Sequence, residues 1–469
     1  MAETRLEHDS MGELAVPALA YYGAQTQRAA QNFQISRLRF PREFLWALGL
    51  IKKSAAQVNA DLGILAADLA EPIIRAAGAV AEGAHDDQFV LDIFQTGSGT
   101  STNMNANEVI AGLANEAKSG VRGGRSPIHP NDAVNMSQSS NDVIPSALHI
   151  AALHQISYHL VPALGTLHDR LARRAEALDD VVKTGRTHLQ DAVPVRLGQE
   201  FGGYATAVEH GIKRVEGCSV HLSELPIGGT AVGTGLNCHP EFPQRIVTAL
   251  SQETGLPLRL TPNRFECLAH RDAAVEASGA MKTVAVSLSN IANNLRMLGS
   301  GPRCGIGEIR IPELQPGSSI MPGKVNPVIP EAVMMAAAKV VGNDATITWS
   351  GALGSNFELN VMMPIIIHAL LESIEILGTA AEHLANKCID ATQFLAGTQH
   401  EGVTRVEADL DRCAELVEKS LAIGTALAPR IGYDNAVAIA RTAYREGRKI
   451  RDVAIELSGL GLEEIANRL

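Results

Sequence analysis

MKTVAVSLSNIANNLRML, residues 281–298, sets Met281, Val284, Leu288, Ile291, Leu295 and Leu298 at alternating steps of three and four. That spacing lines six apolar side chains along one narrow stripe of an α-helix, the seam of a helical bundle. Ile366, Leu370, Ile374, Leu377, Ala381 and Leu384 repeat the pattern. So do Leu153, Ile156, Leu160, Leu164, Leu167 and Leu171, where Pro162 predicts a kink. Leu197, Phe201, Tyr204, Val208, Ile212 and Val215 make a fourth seam. The fold expected is mostly α, with a long central bundle at 141–395. An N-terminal, mostly helical domain with binding loops (1–140) precedes it, and a small helical domain (396–469) follows. Ala and Gly crowd the other helix faces, so bundles from several subunits are expected to pack into one helical core.

The 469 residues are 46% hydrophobic and 19% charged, enough to bury a large core. Aromatics are only 4%, which suits helix-on-helix packing better than a β-sandwich. The net charge of −11 argues against a face for nucleic acid. An acidic protein with an anionic substrate must then place its cations locally. Six cysteines show no CxxC pair and read as reduced thiols of a cytoplasmic protein. The opening MAETRLEHDSMGE has no apolar run of a signal peptide. No stretch of 18 uncharged apolar residues appears, so no membrane span is expected.

Polar segments interrupt the helices. GSSIMPGKVNPVIPE (317–331) carries two glycines, Pro322, two serines, Lys324 and Asn326, with a helix due to start at Pro327 or Pro330. A flexible loop feeding a helix N-terminus collects anions, and Lys324 adds a mobile cation. Such a loop suits a substrate bearing carboxylates. It is not a P-loop: five residues separate Gly317 from Gly323, and Val325 follows Lys324. QTGSGTSTNMNANE (95–108) reads as a second binding loop, with helix resuming at Val109. In HPNDAVNMSQSSND (129–142), Asn131 or Asp132 can cap one helix and a residue among 139–142 the next. GRTHLQDAVPVRLGQE (185–200) reads as a loop between helices, with Thr187-His188 at the junction and a helix from near Val193. GGTAVGTGLNCHPEF (228–242) is glycine-rich without the βαβ context of a dinucleotide site. His149, His154 and His159 step by five and spread around a helix, so no metal and no cofactor are expected. Residues 1–40 read as irregular apart from a polar turn of helix after Pro17 and Gly23, 41–83 as two helices, and Leu460–Leu469 as a further helix.

Together these stretches resemble the aspartase/fumarase superfamily, and within it the class II fumarases. GSSIMPGKVNP is similar to the superfamily signature. QTGSGT, HPND, SQSSND, GRTHLQDA, GGTAVGTGLN, LGSGPRCG and NFELNV are similar to further family blocks, in the family's order. Aspartases read QGGAGT and CQSTND in two of those blocks, so the resemblance favours a hydratase over an ammonia-lyase. It implies three helical domains, a homotetramer, and active sites shared between subunits. The reaction implied is reversible hydration of fumarate to L-malate. The alternatives are an aspartate ammonia-lyase, a hydratase of a substituted fumarate such as mesaconate, and a non-catalytic structural relative.

The resemblance also implies roles. Ser318 is the base at C3, His188 acts on the hydroxyl side, and Glu331 orients its imidazole. Thr187, Ser319, Lys324 and Asn326 hold one carboxylate. Ser98, Thr100, Ser139, Ser140 and Asn141 hold the other. His129, Asn131 and Asp132 match a second anion site. The chain departs from fumarases at Ser126, where an Arg is usual, at Val328-Ile329-Pro330, at Met362-Met363 and at Ser101.

Overall fold

The computed structural model describes residues 3–461 and 465. A hairpin of β1 (Thr4–Asp9) and β2 (Gly12–Pro17) opens the chain. Helices α1 (Ala24–Asn32), α2 (Arg42–Asp61), α3 (Ala67–Ala81) and α4 (Thr100–Ser119) follow. Helix α5 (Ser140–Gln155) passes through a π-turn at Ile156–Leu160 into α6 (Val161–Ala177), so the irregularity falls just before Pro162. A second hairpin, β3 (Val182–Thr187) with β4 (Gln190–Arg196), leads into α7 (Leu197–Gly217). Then come α8 (Phe242–Thr254), α9 (Asp272–Leu298), α10 (Val328–Gly354) and α11 (Met363–His383). The chain ends in α12 (Leu410–Lys419), α13 (Tyr433–Glu446) and α14 (Ile450–Leu457).

The chain forms two compact units. One comprises residues 1–162, 213–285 and 338–378; the other comprises 163–212, 286–337 and 379–469. In the first, α2 buries Phe44, Leu48, Ile51 and Ala55 against α3, which offers Ile73, Ala77 and Val80. Gly49 lets the two helices touch: a Cβ there would lie 2.6 Å from the Ala81 backbone nitrogen. In the second, Ile423, Leu427, Ile439, Ala443, Ile450 and Val453 make a small core for the last helices. The helix expected at Leu460–Leu469 falls mainly on 462–464 and 466–469, outside the described residues.

The seams behave as the spacing predicts. All six seam residues of 281–298 are buried, as are all six of the 153–171 and 366–384 seams. Leu197, Phe201, Val208 and Val215 are buried in α7, while Tyr204 and Ile212 are partly exposed. Helix α10 differs. It buries Val333, Val340 and Ile347 but leaves Met335, Val341, Trp349 and Leu353 in the open. Such an exposed apolar face on a helix that is also buried on its other side is unusual for a monomer's surface. Among the described residues, Met363–Ile389 is the helical stretch long and apolar enough to cross a membrane, and 67% of its most apolar 18-residue window is buried within the fold. That is the mark of a core helix.

Three expectations fail. First, the start of the chain is not irregular: β1 pairs with β2 in register from Thr4–Pro17 to Asp9–Gly12, while the polar helix expected after Gly23 is present as α1. The strand escapes an apolar-alternation search because it buries Glu7 and exposes Leu6. Arg5 holds that carboxylate at 2.7 Å and donates to the carbonyls of Pro17, Ala18, Ala20 and Tyr22. Second, helix α4 starts at Thr100, not Val109, so the binding loop is confined to about 95–99. Polar Thr102, Asn103, Asn105 and Asn107 are buried helix-face residues. Third, 185–200 is largely a hairpin, and α7 begins at Leu197 rather than near Val193.

Candidate active site

Two helix N-termini carry the first group of predicted residues. Gly99 (φ 73°) turns the chain into α4, and Ser139 caps α5. Ser98 Oγ and Thr100 Oγ1 lie 2.8 Å apart, and Thr100 Oγ1 and Ser140 Oγ 2.7 Å apart. Three hydroxyls thus stand in a row across two positive helix ends, a seat for a carboxylate. Ser139 and Asn141 are partly committed. Ser139 Oγ accepts the Asn141 N–H at 3.2 Å, and Asn141 Nδ2 donates to the Ala231 carbonyl at 2.8 Å. The 95–99 loop meets the segment between the Ser355–Asn360 hairpin and α11: Met363 N–H donates to the Gly97 carbonyl at 3.0 Å.

Beneath the row lies a buried polar network absent from the predicted residues. The Asp142 carboxylate accepts the N–H groups of Ser139, Gly228 and Thr230, each at 2.9 Å. Burial pushes its pKa up to about 6. Lys52 Nζ donates to Asn135 Oδ1 at 3.0 Å and Gln138 Oε1 at 2.9 Å, and burial pushes its pKa down to about 7. One signal was available: Lys52 falls four residues after Leu48 and three before Ala55, on the apolar face of α2.

His129, Asn131 and Asp132 form a local turn. His129, not Asn131 or Asp132, is the cap of the π-turn Pro130–Val134, its Nδ1 accepting the N–H of both following residues at 3.2 and 3.1 Å. Nδ1 is therefore unprotonated. Burial, and then the Arg125 charge, hold the imidazole pKa below its usual value. The 3.3 Å approach of the Asp132 carboxylate is accordingly no ion pair, and that side chain is 82% exposed.

Thr187 ends β3, and His188 and Leu189 form the two-residue turn of the second hairpin, with φ 55° and 61°. The twist of a tight hairpin demands positive φ at both positions. Side chains other than Gly and Asn resist it, at about 1–2 kcal/mol each. A His-Leu pair held there is strain of the kind found at functional sites. The hairpin base is anchored to match. Arg186 grips buried Glu308 through two bonds, 2.7 and 3.1 Å, and buried Lys183 reaches Glu308 at 3.2 Å and Glu200 at 2.9 Å. Lys183, expected at the end of the preceding helix, lies instead in β3, and nothing in the sequence marks Lys183, Arg186 or Glu308 as anchors. A charge at every third or fourth position near a turn looks like solvated surface.

The 317–326 loop closes on itself. Gly317 N–H donates to the Lys324 carbonyl at 2.7 Å, and Asn326 Nδ2 donates to the Gly317 carbonyl at 2.8 Å. A Cβ at 317 would lie 2.7 Å from that Lys324 oxygen, so glycine is required. Ser318 Oγ accepts the N–H groups of Ile320 and Met321 at 3.2 and 3.0 Å. Two donors on one hydroxyl oxygen favour its anionic form. Helix α10 starts at Val328, with Glu331 in its first turn. His188, Ser319, Lys324 and Glu331 make no side-chain hydrogen bond or ion pair among the described residues, so the single chain does not join Glu331 to His188.

A cavity of about 350 Å³ lies elsewhere, lined by His149, His221, Glu224, Glu266, Cys267 and His270 among others, none of them a predicted site residue. Two of its carboxylates are paired, Glu224 with Arg259 and Glu276 with His221. The three spaced histidines take unrelated tasks. His149 Nδ1 meets the Glu224 carbonyl at 2.7 Å, His154 packs against Trp46 with the rings tilted at 45°, and His159 approaches the Glu375 carbonyl. Among the described residues no group of three or more His, Cys, Asp or Glu is arranged to hold a metal ion.

Comparison with known proteins agrees along the whole length. A family profile described as lyase matches residues 12–342, and one described as fumarase C C-terminus matches 423–469. The chain is 52% identical to a class II fumarate hydratase of Mycobacterium tuberculosis, over all of this chain and 95% of that protein. It is 49% identical to one of Methylorubrum extorquens, over 98% and 95%. Among solved structures, a class II fumarase from Schistosoma mansoni superposes with TM-score 0.93 at 36% identity, covering 99% of this chain and 98% of that one. A fumarate lyase:delta crystallin from Brucella melitensis, bound to cobalt, gives 0.91 at 41% identity over 99% and 98%. Carrying both family segments and such full-length likeness, the chain belongs to the class II fumarate hydratases, a family of hydro-lyases.

Proposed function

We infer that this protein catalyses the reversible addition of water to fumarate, giving L-malate. The observation that carries the reading is the hydroxyl row of Ser98, Thr100 and Ser140 on two helix N-termini. In the dehydration direction a base takes a C3 proton from malate. The electron pair left behind spreads into the adjacent carboxylate, then expels the C2 hydroxyl as that oxygen is protonated to water. The dianionic intermediate exists only around the transition states, so donors aimed at it accelerate the reaction. Ser318 is the base in this reading; its oxygen already holds two backbone donors, and Lys324 of the same loop would add a charge. His188 serves the hydroxyl side, directly or through water, with Glu331 orienting it. Thr187, Ser319, Lys324 and Asn326 bind one carboxylate. Ser98, Thr100, Ser139, Ser140 and Asn141 bind the other, and His129, Asn131 and Asp132 serve a second anion site.

In this reading the hydroxyl row of one subunit meets the loop and hairpin of its neighbours in a homotetramer. The open apolar faces of α10 support that assembly. The division at 140 and 395 into three domains belongs to the same reading. So does a cytoplasmic location, which the six free thiols support. Purified enzyme assayed separately with malate, mesaconate precursors and aspartate tests the reaction. A rise in fumarate absorbance with malate is expected. A rise with aspartate and none with malate would overturn it.

A further inference from the structure

We propose that Lys52 is a positioning residue for the substrate-binding hydroxyl row, acting through the turn that delivers Ser139 and Ser140 to the start of α5. The inference rests on the reading that this row binds a substrate carboxylate.

Lys52 is 0% exposed in the middle of α2, far along the chain from each segment assigned to substrate. Its ammonium is held by side-chain oxygens of the 135–138 turn, Asn135 Oδ1 and Gln138 Oε1. Asn135 Oδ1 also accepts from Asn103 Nδ2 and Asn107 Nδ2 of α4, both at 3.1 Å. One oxygen therefore ties together α2, α4 and the turn, and α4 is the helix whose first residue is Thr100. Asn59, two turns along α2, adds Asn59 Nδ2 to the Met136 carbonyl and accepts Ser137 Oγ. Ser137 has φ 64°, a conformation that persists in a non-glycine residue only where its surroundings over-determine it. Immediately after the turn, Ser139 caps α5 and Asp142 receives the Ser139, Gly228 and Thr230 N–H groups.

The charges around Lys52 come from few elements. Asp142 of α5 is the carboxylate that acts on it, while Asn103, Asn107, Asn135 and Gln138 are neutral. A buried ammonium with neutral oxygens on it and one carboxylate beyond costs stability when unanswered. Its place here is explained by what it holds: the 2.7 Å spacing of Thr100 and Ser140 depends on α4 and the turn keeping their relation. Where it is protonated, Lys52 also leaves a positive charge behind two positive helix ends, which favours an anion in front of them.

The test uses the full-length enzyme with Lys52→Met, which keeps the stem but removes donors and charge, and Lys52→Gln, which keeps N–H donors. KM and kcat for malate are measured together with the dissociation constant of succinate, a dicarboxylate that cannot react. The expected result for Lys52→Met is a rise of about tenfold or more in both KM and the succinate constant, with kcat changed far less. Lys52→Gln is expected to recover part of that loss. Wild-type KM and succinate affinity in Lys52→Met, folded by circular dichroism, would overturn the proposal. Wild-type turnover of malate tests the reaction itself; the succinate ratio tests Lys52 whichever member of the lyase chemistry the enzyme performs.

Discussion

The hydroxyls of Thr100 and Ser140 lie 2.7 Å apart, although 40 residues separate them in the chain. Each belongs to the first turn of its helix, so the contact joins two helix N-termini at the place proposed to hold a substrate carboxylate. Thr100→Val keeps the shape and removes the hydroxyl. A lost hydrogen bond to a charged group is worth about 1.5–3 kcal/mol, so KM for malate should rise about tenfold to a hundredfold, with kcat less affected. Steady-state kinetics on the folded variant check this.

Ser318 holds two backbone donors on its oxygen before any substrate arrives. Ser318→Ala removes the proposed base and leaves the Gly317–Asn326 closure of the loop in place. Turnover should fall by about a hundredfold to ten-thousandfold while the oligomer survives. Near-normal turnover would remove Ser318 from the mechanism.

Gly97 is a packing requirement. A Cβ there would sit 1.6 Å from the Val361 carbonyl oxygen, so backbone must move. Gly97→Ala should cost at least about 2 kcal/mol and distort the row beside it. Gly78→Ala in α3, where a Cβ meets nothing within 4 Å, should instead stabilise by about 0.4–1 kcal/mol. Denaturant titration of both variants separates the two outcomes.

Burial pushes the Lys52 pKa down to about 7, against about 10.4 for an unfolded lysine. Between those values the unfolded chain holds a proton that the folded chain has released. Unfolding then takes up a proton, so the stability linked to Lys52 rises with pH from about 7 to about 10 and is lost as pH falls through about 7. The melting temperature of wild type relative to Lys52→Met should therefore climb between pH 7 and 9. A difference independent of pH would contradict the linkage.

Trp349 and Leu353 stand open on α10, 65% and 66% exposed. Trp349→Glu combined with Leu353→Glu places charge where the proposed tetramer needs apolar contact. Sedimentation should show smaller species and activity should fall with them, because the proposed site is shared between subunits. An intact tetramer with full activity would place the interface elsewhere.

The bundle was legible because its signal is local and repeated: steps of three and four put a stripe on a helix wherever the chain goes. The hydroxyl-rich segments were legible too, as polar runs where core helices should continue. What escaped were elements held by charge rather than by apolar alternation. The β1–β2 hairpin hangs on Arg5 and Glu7, and the β3–β4 hairpin on Lys183, Arg186 and Glu308. The early start of α4 escaped because Thr102, Asn103 and Asn107 look like loop residues until their burial is seen.

The amino-acid order by itself determined the helices, their buried stripes and the family, since each depends on residue type at fixed spacing. Tertiary structure alone decided that Thr100 meets Ser140, that Ser318 receives two N–H groups, and that His188 sits strained at a hairpin tip. It alone brought Lys52 of α2 under the start of α5. Those relations depend on how separate backbones are set against one another, and hydrogen bonds over tens of residues leave no periodic trace in the chain that makes them.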